Sequence, residues 1–313
     1  MGDPERSRAF AVSLTVAFLA SPKDREFAIA EAFCKGVQAH GDKSSVMLTA
    51  DYAGPQGETD VAVFVGVKGW SRLIMETHLE AGKHSIVLDK GYVGGPKGPR
   101  SKYIRCSVDE FQPLSYFQAI SRPDDRLNQL GVQIQPWKKK GNEVVICGGS
   151  LKYAAWHRMP GANDRDPATT WATKTFGKLR KYTDRPIHYS PKPSWKHAVP
   201  IEGMRFVWPP VPINEQLKTA WAVVSYGSNA TVDAQIAGVP TFVLGDGIAK
   251  PMSLDDLTRI DKPYYPTDAQ RWQWLADLSY AQFSLQEFES GLAWSILRPQ
   301  VISNARVRGY ERS

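Results

Sequence analysis

The stretch Trp221-Ala-Val-Val-Ser-Tyr-Gly-Ser-Asn-Ala-Thr-Val-Asp-Ala-Gln-Ile-Ala-Gly-Val-Pro-Thr-Phe-Val-Leu244 decides the fold. Its opening residues are an apolar run ending at Ser225, and Gly227-Ser228 then permits a tight turn. Residues 229–237 are small or apolar at helical spacing, and Gly238-Val239-Pro240 stops that helix before a second apolar run. Strand, turn, helix and strand in so short a span make a β-α-β unit, and such units pair their strands in parallel. Unpaired backbone N–H groups and the positive helix end then face the carboxyl edge of the sheet, an arrangement that holds phosphate. The alternative is that the small residues merely close the turn.

The same alternation runs outward in both directions. Towards the amino terminus the pattern predicts strands over 10–19, 45–49, 61–65, 84–88 and 103–108, with helices over 24–38, 70–81 and 113–120. Between 121 and 142 the rhythm breaks down, with Arg122-Pro-Asp-Asp125 at one end and Lys138-Lys-Lys-Gly141 at the other. A second series follows: strands at 143–147, 186–189, 204–208, 222–225 and 241–244, a long helix from about 151 to 182, and shorter helices at 213–220 and 229–237. Residues 268–297 read as wholly helical. The expected organisation is an α/β chain of two doubly wound Rossmann-like domains, 1–120 and 143–267, a linker at 121–142, and carboxyl-terminal helices over 268–313 that pack back on the first domain.

Composition narrows the class. Of 313 residues, 42% are hydrophobic and 23% charged, and no run reaches the roughly 18 apolar residues of a membrane span. No membrane partner and no export are expected, and the cytoplasm is the expected compartment. Cys34, Cys106 and Cys147 are widely separated in apolar segments, as buried thiols in a reducing compartment would be. The formal net charge of +7 favours polyanions.

Several segments carry candidate chemistry. Cys147-Gly148-Gly149-Ser150 follows the first strand of the second series, where two glycines allow a ligand close to the backbone. Its spacing fits neither a dinucleotide fingerprint nor a Walker loop, which argues against a dehydrogenase or an ATPase. In Tyr189-Ser-Pro-Lys-Pro-Ser-Trp-Lys196 the prolines on either side of Lys192 stiffen the loop and hold its ammonium for a pyrophosphate, or leave it solvated. In the first series Gly66-Val-Lys-Gly-Trp70 and Leu88-Asp-Lys-Gly-Tyr-Val-Gly-Gly95 leave strand ends. Asp89 is either a general base for an acceptor hydroxyl or a turn cap. His78, His84 and His157 are alternatives to it. Lys68, Trp70, Tyr92 and Arg100 are candidate acceptor contacts, with aromatic rings to stack on an extruded base and cations for phosphates. The basic stretches Lys97 to Arg105, Lys138 to Lys140 and Arg306 to Arg312 add to that reading, or form solvated faces.

The string Ser225-x-Gly-Ser-Asn-Ala-x-x-Asp-Ala-x-x-Ala-Gly-Val-Pro240 resembles the donor-binding segment of GT-B glycosyltransferases and of the related UDP-N-acetylglucosamine epimerases. The resemblance implies that Ser225, Gly227, Ser228, Asn229 and Ala230 hold the donor diphosphate; Asp233 stands where many relatives have Glu. The Lys192 loop is similar to the Lys/Arg-Pro-His-Pro loop of capsule-type sugar transferases, with Ser194 and Trp195 in place of His-Pro. Taken together the motifs resemble small GT-B-like proteins of tailed bacteriophages that attach sugars to hydroxymethylated pyrimidines in DNA. The implied activity is metal-independent transfer from a nucleotide-sugar, a UDP-sugar first of all, serving as co-substrate with no cofactor, to duplex DNA. A capsule or cell-surface glycan acceptor, and a non-catalytic DNA-binding protein on the same scaffold, are the alternatives. The oligomeric state is not fixed by the sequence.

Overall fold

The structure is a computed structural model that describes residues 13–115, 120–149, 151–159 and 167–310. Ser150, Arg312, half of the helix expected over 113–120 (residues 116–119) and the side chains of Arg306 and Arg308 lie outside the described residues. The chain divides into two compact units, Met1–Ser121 with Asp277–Ser313, and Arg122–Ala276.

The first unit is built on β1 (Thr15–Ala20), α1 (Asp24–Gln38), β2 (Lys43–Leu48), β3 (Val61–Val65), α2 (Ser71–Glu80), β4 (His84–Lys90) and β5 (Ile104–Val108). Strand β11 (Gln282–Phe283) and helices α9 (Leu285–Glu289) and α10 (Leu292–Tyr310) return to complete it. The sheet order is β11-β5-β4-β3-β1-β2. Strands β1 to β4 are parallel, as unbroken apolar runs such as Val61-Ala-Val-Phe-Val65 require of strands covered on both faces. Strand β5 departs from the expected parallel pattern and runs antiparallel to β4, and β11 antiparallel to β5. The reason lies in the β4–β5 connection, residues 91–103, which holds only a short 3-10 turn at Arg100–Lys102 and not the crossover helix that parallel pairing needs. A side chain at Gly94 would put its Cβ 2.3 Å from the Arg100 amide nitrogen, so glycine lets this loop fold back on itself.

Residues 268–297 are not wholly helical. The polypeptide leaves α8 (Asp268–Ser279), makes the short β11, and enters α9 through a capping box in which Ser284 and Glu287 bond each other's backbone amides. Gly291, at φ +83°, then separates α9 from α10. The core of this unit packs Phe33 edge to face against Phe18 and Trp294, with Phe288 tilted against it. Buried Asp42 fastens α10 by accepting from Trp294 Nε1 at 2.7 Å and Arg298 Nε at 2.7 Å, besides the Leu14 amide.

The second unit contains α3 (Asp125–Leu130), β6 (Glu143–Cys147), α4 (Leu151–Trp156), α5 (Pro167–Leu179), β7 (Ile187–Ser190) and β8 (Arg205–Phe206). It continues with α6 (Ile213–Gln216), β9 (Ala220–Ser225), α7 (Ala230–Ile236) and β10 (Thr241–Val243). Its strands are all parallel in the order β10-β9-β6-β7-β8. The single long helix expected over 151–182 is two helices. α4 stops at Trp156, Arg158 takes a left-handed conformation at φ 46°, and Pro160 in the sequence forbids a continuous helix through this point. Cys34, Cys106 and Cys147 are free and buried, and among the described residues no helix is long and apolar enough to cross a membrane.

Candidate functional site

In a doubly wound sheet the connections leave the first strand towards both flanks, and the crevice between the diverging loops is where ligands enter. In the second unit β6 is that strand, with β7 on one side and β9 on the other. Registry pairs Cys147 with both Ser190 and Ser225, and Ser225 with Val243, so four strands end together. The loops bearing Gly148-Gly149, Lys192, Tyr226-Gly227-Ser228 and Gly245–Lys250 therefore leave one edge. Lys192 is exposed there, in a loop closed by the Trp195 amide donating to the Lys192 carbonyl at 2.8 Å.

Close packing explains the glycines. A Cβ at Gly148 would lie 3.0 Å from the Tyr189 ring, one at Gly149 3.1 Å from Tyr153, and one at Gly227 2.1 Å from the Tyr153 hydroxyl. Tyr153, one turn into the region after Gly149, thus sits over the turn at Gly227. It belongs to an aromatic group with His157 (4.3 Å between centroids), Tyr226 and Trp171. Gly245 approaches the Tyr226 ring and Gly247 the Gly227 backbone, which holds the loop after β10 against the same turn.

The amide cradle expected after Ser225 requires correction. Ser225 is 1% exposed, and its Oγ accepts from the Gly227 amide at 3.1 Å and the Ser228 amide at 2.7 Å. Ser228 Oγ in turn accepts from the Ala230 amide at 3.2 Å. Three of the backbone donors assigned to phosphate therefore have partners inside the turn, and buried Ser225 shapes the turn without reaching a ligand. The half-exposed Ser228 and Asn229 side chains are what this turn offers outward.

In the first unit the corresponding crevice lies between the loops after β1 and β3, because β1 has β2 on one side and β3 on the other. Lys68 spans it. Its ammonium donates to Glu26 Oε2 at 2.7 Å and to Ser21 Oγ at 2.5 Å, and it lies 5.1 Å from the Trp70 ring centre. Trp70 packs edge-on against Phe64. Lys68 is thus committed within the unit and is not the solvent-facing acceptor cation expected. Tyr92 is a clear correction, since it is fully buried. It donates to Gln112 Oε1 at 2.6 Å and accepts from Arg105 Nη1 at 2.6 Å, so its ring cannot stack on a base. Burial pushes its phenol up to about 12, against the neighbouring Arg105 charge. Arg100 stands in the β4–β5 loop against Gly94.

Asp89 lies near the end of β4, directly across from Arg105 in the antiparallel pair, and its Oδ2 accepts from Arg105 Nη2 at 3.2 Å. Arg105 is 3% exposed. A buried guanidinium needs a nearby anion, and Asp89 supplies it. Of the basic stretches, Lys138 donates to the Leu217 carbonyl at 2.5 Å and Lys139 lies 3.3 Å from the centre of the Tyr265 ring, so both serve the fold. Buried His78 bonds Tyr52, and His84 pairs with Asp109 at 2.8 Å, beside the starts of the strands rather than their carboxyl ends.

Sequence reasoning missed Glu26, Ser21, Tyr153 and Tyr226. The available signal for Glu26 was its place in the first turn of a helix directly after the first strand, where an acid complements the helix dipole. Nothing in the spacing showed that Lys68 would reach it.

No family model matches the chain, and no curated sequence matches it either. Among solved structures it is similar to two described as KpsC from Thermosulfurimonas dismutans. The one described as a β-Kdo 2,4 transferase matches at 11% identity and TM-score 0.52, over 87% of this chain and 92% of that one. The other, a β-Kdo 2,7 transferase, matches at 12% identity and TM-score 0.50, over 90% and 99%. At such identity the likeness is one of fold, and it puts the chain in the two-sheet, doubly wound fold class of GT-B type.

Proposed function

We propose that the protein is a glycosyltransferase whose nucleotide-sugar donor binds at the carboxyl edge of the second sheet. The observation that carries this reading is the common ending of β7, β6 and β9 at Ser190, Cys147 and Ser225, with glycine-bearing loops on either side of the switch point. Ser228, Asn229 and Lys192 are the groups this edge offers to the donor phosphates, and the aromatic group around Tyr226 supplies flat apolar surface beside them. A cation in a proline-stiffened loop and small polar groups at a turn suit a diphosphate without requiring a metal.

For the acceptor, the reading is a hydroxymethylated pyrimidine in duplex DNA. It draws support from the net charge of +7, which favours a polyanion. Burial of Tyr92 and commitment of Lys68 remove two of its expected contacts. A capsule or cell-surface glycan is the second reading. It is favoured by the two KpsC structures of similar fold, which are described as Kdo transferases.

The test is incubation of the protein with radiolabelled nucleotide-sugars and two acceptors, hydroxymethylcytosine-containing duplex DNA and a capsule oligosaccharide. Label on the DNA, with salt-sensitive affinity for the duplex, is the expected result. Label on the oligosaccharide alone would select the second acceptor, and label on neither would overturn the proposal.

A further inference from the structure

The geometry points to Ser190 as a hydrogen-bond donor to an anionic oxygen of the donor phosphates, with Gln216 as the positioning residue that aims it; this deepens the nucleotide-sugar reading above and rests on it. Ser190 is the last residue of β7 and stands in register with Cys147. Strand alternation sends Tyr189 to the face where it stacks on Phe206, and Ser190 to the other. That second face is covered by α6 and α7, whose Ile213, Ala230 and Ala234 pack in one cluster with Cys147. Ser190 thus lies on the side of the sheet from which α7 starts, next to the Ser228 turn.

Gln216, the last residue of α6, is 5% exposed. Its Nε2 donates to the Val211 carbonyl at 2.5 Å and to Ser190 Oγ at 2.9 Å. A carbonyl can only accept, so Val211 fixes which end of the amide is the NH2, and both protons of that group are then used. Ser190 Oγ is accordingly the acceptor towards Gln216, and its own proton has to go elsewhere. Among the described residues no group accepts it. Gln216 Oε1 is buried and likewise has no partner. An acceptor left in that state is unfavourable, so the amide is held in this orientation by Val211 and Ser190 against its own needs.

A hydroxyl with one lone pair filled by an amide and a proton to give suits an oxygen that accepts. Phosphate is the favoured class here. Lys192, exposed two residues further along, brings a positive charge to the same loop, and a hydrogen bond to an ionised acceptor is about twice as strong as a neutral one. With neighbouring strands about 4.8 Å apart, the Ser190 backbone stands roughly 10 Å from that of Ser225, across β6. One diphosphate with a hydrogen bond at each end covers such a span. Ser190 and the Ser228 turn are then the two ends of the grip on the donor, both within the second unit.

Calorimetric titration of the full chain with UDP, CMP, GDP and ADP identifies the nucleotide that binds. Ser190→Ala is expected to keep the fold and to raise the Kd of that nucleotide about 10- to 100-fold, the loss typical of a hydrogen bond to a charged group. Saturation-transfer NMR with the matching nucleoside, which carries no phosphate, is expected to show equal binding to both proteins. Ser190→Cys, close in volume and a weak donor, is expected to lose as much and guards against misfolding of the first variant. Gln216→Met keeps the length of the side chain but cannot orient the hydroxyl, and is expected to weaken the nucleotide about 3- to 10-fold. Added to Ser190→Ala it is expected to weaken binding no further, because it acts through that hydroxyl. A residue that merely packs α6 would add its own loss. Folded Ser190 variants that bind the nucleotide within twofold of the wild type, or that lose the nucleoside equally, overturn the assignment of Ser190. Additive losses in the double variant overturn the role of Gln216. Failure of the wild type to bind any of the four nucleotides overturns the parent reading and this one with it.

Discussion

The two switch points of this molecule are built from different chemistry. In the first unit the crevice after β1 and β3 is bridged by an ion pair, Lys68 to Glu26, with Ser21 and Trp70 around it. In the second, the crevice after β6 and β9 holds no such pair among the described residues; glycines, serine hydroxyls and the rings of Tyr153 and Tyr226 fill it. One fold motif thus presents a buried ion pair at one place and, beside the exposed Lys192, small, close-packed neutral groups at the other. The difference teaches that the β-α turn sets where a ligand enters, while the residues one turn into the following helix decide what chemistry meets it.

Two measurements sharpen that contrast. The larger effect is expected in the second unit. Gly227→Ala drives a methyl group to 2.1 Å from the Tyr153 hydroxyl and 3.0 Å from the Gly247 Cα, so it is expected to destabilise the protein by about 1–3 kcal/mol in urea unfolding. Gly177→Ala, where nothing lies within 4 Å, is the control, and gains about 0.5–1 kcal/mol from helix propensity. Equal effects at the two sites would mean that Tyr153 does not pack over the turn.

The smaller effect is a pH dependence confined to the first unit. The Glu26 carboxyl is lowered below its unfolded value of 4.5 in the folded state. Its contribution to stability is therefore fully present above that value and is lost as pH falls through the lower folded value. Melting temperature followed from pH 6 down to pH 3 is expected to fall more steeply in the wild type than in Glu26→Gln. Parallel curves would show that the ion pair with Lys68 contributes nothing to the fold.

Much of the architecture was legible in the sequence because buried parallel strands write themselves as unbroken apolar runs, as at Val61–Val65, Glu143–Cys147 and the segment from Trp221. What was hidden depended on chain reversal and long-range contact. The β4–β5 loop turns back without a helix, and only then does Arg105 come to face Asp89. Tyr92 looks like a loop aromatic in sequence. It is buried because the side chain of Gln282, 190 residues away, accepts from its amide, and because Arg105 and Gln112 bond its hydroxyl. The Gly-Ser-Asn turn was correctly placed at a strand end, but the motif gave no warning that buried Ser225 would itself bond two of the amides. Local pattern reports where an element begins; whether its polar groups face a ligand depends on partners that pattern does not contain.

The central claim is that the carboxyl edge of the second sheet binds a nucleotide-sugar, and a thermal-shift series tests it most directly. Nucleoside diphosphates and their sugars are added to the wild type, Ser228→Ala and Lys192→Ala. The account predicts that one nucleotide class stabilises the wild type, by about 2.7 kcal/mol at a hundred times its Kd, and that both substitutions reduce the shift. A shift unchanged in both variants, or no shift with any nucleotide, would contradict it.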